Sequence, residues 1–144
     1  MEESLMERIG KTFPMNEVDI RTYSPLTLAY IGDGIFDVVI RTLVVEKGNT
    51  SANQLHRATS HIVKAHSQAL MAQALSDVLT EEEADVYRRG RNAKSHTMAK
   101  NASVTDYRSA TGFEALMGYL YLTKQEERMM KLISYGMKQC HFEV

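Results

Sequence analysis

A single cysteine, two prolines and a net charge of only −1 rule out several kinds of protein at once. One thiol, Cys140, cannot form an intrachain disulfide, and it suits a reducing cytosol. The five histidines show no H-E-x-x-H spacing, so with one cysteine a zinc site is not expected. No apolar run is long enough to cross a bilayer. The start, Met1-Glu2-Glu3-Ser4, lacks the basic and apolar regions of a signal peptide, which makes the cytoplasm the expected location. The near-neutral balance gives no general pull on nucleic acid, so any such binding must come from local patches. There is no Gly-rich phosphate loop, nucleophile elbow or Cys–His signature. Internal repeats, linkers and low-complexity segments are also missing.

What is present is helical. The 144 residues, 44% hydrophobic, make one domain of common size that can bury about two-thirds of its surface. Scarce proline and long periodic runs without alternation predict an all-α fold. Residues 1–23 are weakly patterned and read as an N-terminal arm ending in a short helix or turn. Residues 24–144 read as a single domain. A helix is expected from Ser24-Pro25, as N-cap and first helical residue, to Lys47-Gly48. A third begins near Ala52, with Leu55 and Ala58 inward. His61-Ile62-Val63 either continues it or opens a longer helix to Leu79, striped by Ile62, Ala65, Ala69, Ala72 and Leu75. Thr80-Glu81-Glu82-Glu83 is a capping box that starts a helix toward Arg91. Residues 92–106 read as a polar surface loop. Two further helices follow, the last from Lys124 to Gln139 with Met129, Leu132, Ile133 and Met137.

Two acids stand out. Leu28, Ile31, Ile35, Val38, Val39 and Leu43 cover most of the circumference of the first long helix, which predicts burial on nearly all sides. Asp37 has Arg41 four residues on, the favourable order for an ion pair. Asp33 has only Phe36 and Asp37 at those spacings, so a distant group or a metal ion must offset its desolvation. Glu114 repeats the situation. It is the only charge between Arg108 and Lys124, beside a core stripe of Phe113, Leu116, Met117 and Leu120. Gly118, one turn on, is expected to leave space over it. If the two acids meet, repulsion raises a pKa or recruits a hard divalent cation, for which oxygen ligands suit Mg²⁺ or Mn²⁺.

The charge is unevenly spread. Glu81, Glu82, Glu83 and Asp85 suit a helix start. Arg88, Arg89, Arg91, Lys94, His96 and Lys100 follow with no acid among them. That density, running on through Asn92, Ser95 and Asn101, exceeds what helix capping requires and points to phosphate contacts. Arg57, His61 and Lys64 make a second basic face, read as solvated.

These motifs resemble a known family. Leu28-Ala29-Tyr30-Ile31-Gly32-Asp33-Gly34-Ile35 resembles the ribonuclease III signature L-E-F-L-G-D-A-V. Phe113-Glu114-Ala115-Leu116-Met117-Gly118-Tyr119-Leu120-Tyr121-Leu122 resembles its second acidic motif, D-x-x-E-A-L-x-G-x-x-x-L. Arg89-Gly90-Arg91-Asn92-Ala93-Lys94 is similar to the hallmark of the short branch, Mini-ribonuclease III, and no double-stranded-RNA-binding domain follows. The resemblance runs from about Leu26 to Ile133. It implies the ribonuclease III endonuclease-domain helical fold, with residues 24–144 as the catalytic domain. It further implies a homodimer that cuts double-stranded RNA with Mg²⁺ (Mn²⁺ as a substitute) and leaves 5′-phosphate and 3′-hydroxyl ends. The implied substrate is precursor large-subunit (23S) ribosomal RNA, in a bacterial cytoplasm or a plastid. Asp33 matches the signature aspartate and Glu114 the second glutamate, which implies catalysis and metal binding at both. Ala29, Leu26 and Thr111 stand where the larger enzymes carry acids, which weighs against a full two-metal arrangement.

The expected protein is therefore a double-stranded-RNA endonuclease. Asp33 and Glu114 carry the metal and the chemistry, and Arg89, Arg91, Asn92, Lys94 and Lys100 grip RNA. A ribosomal protein is a candidate partner for presenting the substrate, and no membrane is involved. Two strands of opposite direction need two sites on a twofold axis. The interface is expected beside the acids, at Tyr30, Phe36 or nearby. The rivals are a non-catalytic RNA-binding scaffold of the same fold and an all-α nucleotide pyrophosphatase. The latter needs acids clustered as E-x-x-E, which neither acidic helix has.

Overall fold

The computed structural model describes residues 3–94 and 103–144. Among these it contains helices only: α1 (Leu5–Thr12), α2 (Pro25–Glu46), α3 (Ala52–Val63), α4 (Ala65–Leu75), α5 (Glu81–Asn92), α6 (Val104–Leu122) and α7 (Glu126–Gln139), with a 3₁₀ turn at Ile20–Thr22. The starts follow the capping rule. Ser4, Ser24, Ser51, Thr80 and Ser103 each accept a backbone N–H of the first turn, and Thr80 with Glu83 completes the capping box. The end of α2 is set by Gly48, whose φ of 136° is open to glycine alone.

The fold is built around α6, which contacts α2, α4, α5 and α7. Its residues Phe113, Leu116, Met117 and Leu120 are buried, as their spacing predicts. Phe36 of α2 meets Phe113 edge to face, ring centroids 5.0 Å apart at 80°. Ile40, Ile62, Met71, Leu75, Met129 and Leu132 close the core around them. Arg128 of α7 donates from Nε and Nη2 to Glu83 at 2.9 and 2.8 Å, and Nη2 also reaches the Val78 carbonyl at 2.8 Å. Glu83 is only 4% exposed, and the Arg128 guanidinium holds its carboxyl below the usual range despite burial.

The structure corrects several expectations. Helix α2 is not buried all round. Its inward row is Leu28, Ala29, Gly32, Phe36, Ile40 and Val44, whereas Val38 and Leu43 are exposed. Its opposite side leaves Tyr30 82% and Val38 54% exposed, so apolar residues on two sides did not mean burial on two sides. Phe36 sits wholly inside the chain's own core and has no surface to offer a partner. In α3 the inward residue beside Leu55 is Thr59, while Ala58 faces solvent. The chain breaks at extended Lys64, and α4 ends at Leu75 rather than Leu79. The row facing the core in α4 includes Ser67, Gln68, Met71, Ala72 and Leu75, with Ala65 and Ala69 only half-buried. Helix α6 begins at Val104, inside the stretch read as loop, because Ser103 caps it. The N-terminal segment holds a helix, α1, that its weak pattern did not announce.

Candidate active site

The site begins with two glycines. A Cβ on Gly32 would lie 1.7 Å from the Glu114 carbonyl oxygen, and one on Gly118 would lie 1.9 Å from the Leu28 carbonyl oxygen. Helices α2 and α6 therefore cross backbone to backbone, which only glycine permits on either side. The space expected over Glu114 at Gly118 is filled by α2 itself. Asp33 is the next residue after one contact point, and Glu114 lies one turn before the other. The crossing brings them close enough for the Asp33 carboxylate to act on the carboxyl of Glu114.

The two acids differ in setting. Asp33 is exposed, against the burial expected of it, while Glu114 is half-buried. Burial first, and the Asp33 hydrogen bond and charge second, push the Glu114 carboxyl up to about 9. At neutral pH the Glu114 carboxyl is therefore held in its protonated form, the state that a bound cation would displace. Asp37 is elsewhere engaged, 2.6 Å from Arg41 Nε. Among the described residues no third His, Cys, Asp or Glu joins the pair in a cluster. Thr111 is buried, and its hydroxyl donates to the Tyr107 carbonyl at 3.0 Å. Ala29 packs with Val86 and Ala115.

Gln68 is a neighbour that sequence reasoning missed. Its Nε2 donates to the Val63 carbonyl at 2.8 Å and makes a long contact, 3.5 Å, with Glu114 Oε2. Its Oε1 is buried without a partner, which costs about 1–3 kcal/mol. A signal was available: Gln68 occupies the core row of α4 at one and two turns from Ala72 and Leu75, where an amide has no packing reason to stand. His66 and Asp106, 2.8 Å apart, tie the starts of α4 and α6 nearby.

The residue set fits a hard divalent cation. Its donors are oxygen, and among the described residues the pair has no compensating positive group and a buried amide oxygen next to Glu114 has no partner. Mg²⁺ is held in just this way elsewhere, by one or two carboxylates with water and substrate phosphate filling the remaining positions.

The basic segment sits next to the pair. A Cβ on Gly90 would lie 2.7 Å from Ala115 Cβ, so α5 is pressed against the turn of α6 that carries Glu114. Arg89 and Arg91 flank that contact. With Asn92 and Lys94 they are exposed, and Arg89, Arg91 and Lys94 have no ion-pair partner among the described residues. Arg88 is engaged by Asp85. Lys100, with Ser95, His96 and Asn101, lies outside the described residues.

Comparison with known proteins finds relatives over most of the chain. The ribonuclease III domain matches residues 26–125. The Mini-ribonuclease 3 of Enterococcus faecalis is 53% identical over 123 residues, 84% of this chain and 93% of that one. Those of Clostridium tetani and a Thermoanaerobacter species are 48% and 43% identical, over 87% and 96% of this chain and 84% and 97% of theirs. A crystal structure of a Fusobacterium nucleatum protein superposes with a TM-score of 0.77 at 33% identity, over 85% of this chain and 99% of that one.

Proposed function

Because the chain belongs to the ribonuclease III family, in its Mini-ribonuclease III branch, we propose that it cuts double-stranded RNA at the Asp33–Glu114 pair with a divalent cation, Mg²⁺ or in its place Mn²⁺. Membership makes it an endoribonuclease. The observation that supports the site is the glycine crossing, which sets the backbones of α2 and α6 against each other beside Asp33 and Glu114, while burial and Asp33 keep the Glu114 carboxyl neutral until a positive partner takes the place of the proton.

Asp33 and Glu114 would hold the cation through their carboxylate oxygens. When bound, such an ion lowers the pKa of a water and polarises the scissile phosphate. The remaining work belongs to the chain. Glu114 gives up its proton as the site fills. Asp33, being exposed, keeps the site open to a duplex. Arg89, Arg91, Asn92 and Lys94 grip phosphates on one side of the pair, and Lys100, further along the sequence, is assigned the same task. Duplex RNA of A-form is read by shape, 2′-hydroxyls and backbone, so a helical fold without a base-reading element suffices.

A homodimer belongs to this proposal. Cutting both strands needs two sites, and the exposed apolar side of α2, with Tyr30 one turn before Asp33 and Val38 two turns beyond Tyr30, is the face we assign to the twofold contact. Precursor large-subunit (23S) ribosomal RNA, with a ribosomal protein to present it, is the substrate implied by the short branch. No helix among the described residues is long and apolar enough to cross a membrane, and we assign the enzyme to the cytoplasm. A non-catalytic scaffold of the same fold would share the missing third acid, and one assay separates the two. The purified chain is incubated with a duplex precursor RNA, with Mg²⁺ and with EDTA. Cleavage with Mg²⁺ alone supports the enzyme, and binding without cleavage supports the scaffold.

A further inference from the structure

Among the described residues, Gln68 is a buried polar side chain beside the acid pair to which the proposed reaction gives no task. It is 2% exposed. Its nitrogen has a structural duty, donating to the Val63 carbonyl that the α3–α4 break leaves free, just as Ser67 Oγ donates to the His61 carbonyl at 2.6 Å. That duty needs only the nitrogen. It explains neither the contact between Nε2 and Glu114 Oε2 nor a carbonyl oxygen enclosed without a donor. Turning the amide over would set its oxygen against the Val63 carbonyl, so the orientation is fixed by its neighbour.

We propose that Gln68 is a positioning residue of the acid pair and the neutral third oxygen of its cation site: Nε2 orients the Glu114 carboxylate, and Oε1 accepts from the hydration shell of the ion. The inference rests on reading Asp33 and Glu114 as a cation site and adds the residue that completes it. It accounts for two observations together. Among the described residues the pair has no third acid. The acceptor that is left over belongs to the side chain touching Glu114. A neutral oxygen supplies a ligand-facing group without adding to the repulsion that already raises the Glu114 pKa.

The test uses Mn²⁺ alone as probe, its binding to the intact chain followed by the loss of the free-ion electron paramagnetic resonance signal, beside melting curves and cleavage kinetics. The Gln68→Leu chain should lose about 10–100-fold in Mn²⁺ affinity. It should need correspondingly more Mg²⁺ for cleavage, lose kcat, and keep the KM for duplex RNA. The Gln68→Glu chain keeps an oxygen, gives up the donor to both Val63 and Glu114, and adds a negative charge that attracts the ion, so it should bind Mn²⁺ at least as tightly as the parent. A role confined to the helix break predicts lower melting in both variants and parental Mn²⁺ affinity in both, and that result overturns the proposal. If Gln68→Leu does not fold, Gln68→Glu decides: weaker Mn²⁺ binding than the parent refutes the third-oxygen role. Failure of the underlying reading looks different. In that case the parent binds no Mn²⁺, or Asp33→Asn binds it as well as the parent does.

Discussion

Replacing Glu114 with glutamine should stabilise the metal-free protein. Its carboxyl is raised from the ordinary 4.5 to about 9, by burial first and by Asp33 second. Across that window the native state keeps a proton that the unfolded chain has lost. Native protein then binds more protons than unfolded protein, so stability falls as pH rises from the unfolded value to the folded one, and levels off above it. At pH 7.5 about 3 pH units have been crossed, an upper bound of about 4 kcal/mol. Relaxation and water entry around a half-buried group reduce this, and about 1–3 kcal/mol is expected. Glutamine has the same shape, keeps an oxygen for Gln68 Nε2, and can donate to Asp33, so it removes the cost without emptying the space. For a chain of this size the gain is about 3–10 °C in melting temperature. Calorimetry in EDTA from pH 5 to 9 should show the two chains melting together at the acid end and the variant ahead at the alkaline end. Adding Mg²⁺ should raise the parent and leave the variant nearly unmoved. A variant that melts lower than the parent at pH 8 in EDTA, or a gap independent of pH, would refute the reasoning.

Asp33→Asn should leave duplex binding near parental and abolish cleavage, as gel shift and cleavage assays on the same RNA would show; parental turnover contradicts its role. Alanine at Arg89, Arg91 and Lys94 together should weaken duplex binding and reduce the log–log salt slope by about 3, one for each lost phosphate contact. An unchanged slope makes the segment a solvated face. Gly118→Ala puts a methyl 1.9 Å from a backbone oxygen, so melting should fall by the equivalent of about 1–3 kcal/mol or more, and cleavage should fall further as the acids part. Gly34→Ala, with nothing within 4 Å, is its control for the isolated chain. Arg128→Met strands the buried Glu83 and should cost about 3–5 kcal/mol in denaturant unfolding without changing kcat of the folded fraction.

Much of the site was legible because it is local. The capping box at Thr80, the Ser24-Pro25 start and the apolar stripe of α6 each lie within a few residues, where periodicity and cap chemistry act. The two acids were conspicuous because nothing near them in sequence explained them. What escaped depends on which side of a helix meets another. Apolar residues on two sides of α2 were read as burial, but Gly32 decides the buried side by allowing α6 to approach backbone to backbone. That leaves Asp33 at the surface and Tyr30 uncovered. Gln68 was overlooked because polar residues are normally assigned outward. Its partner Glu114 is 46 residues away, and no local pattern encodes a contact at that distance.

The most direct measurement is a single-turnover cleavage assay on a perfectly paired RNA, run with the parent and the Asp33→Asn and Glu114→Gln chains across a Mg²⁺ titration, with duplex binding recorded in EDTA for each. The glycine crossing predicts that all three bind the duplex alike, that the parent cuts both strands once Mg²⁺ is present, that Asp33→Asn does not cut at any Mg²⁺ concentration, and that Glu114→Gln is slow and needs far more of the ion. Cleavage by the parent in EDTA, or parental rates from either variant, would place the chemistry somewhere other than at this pair.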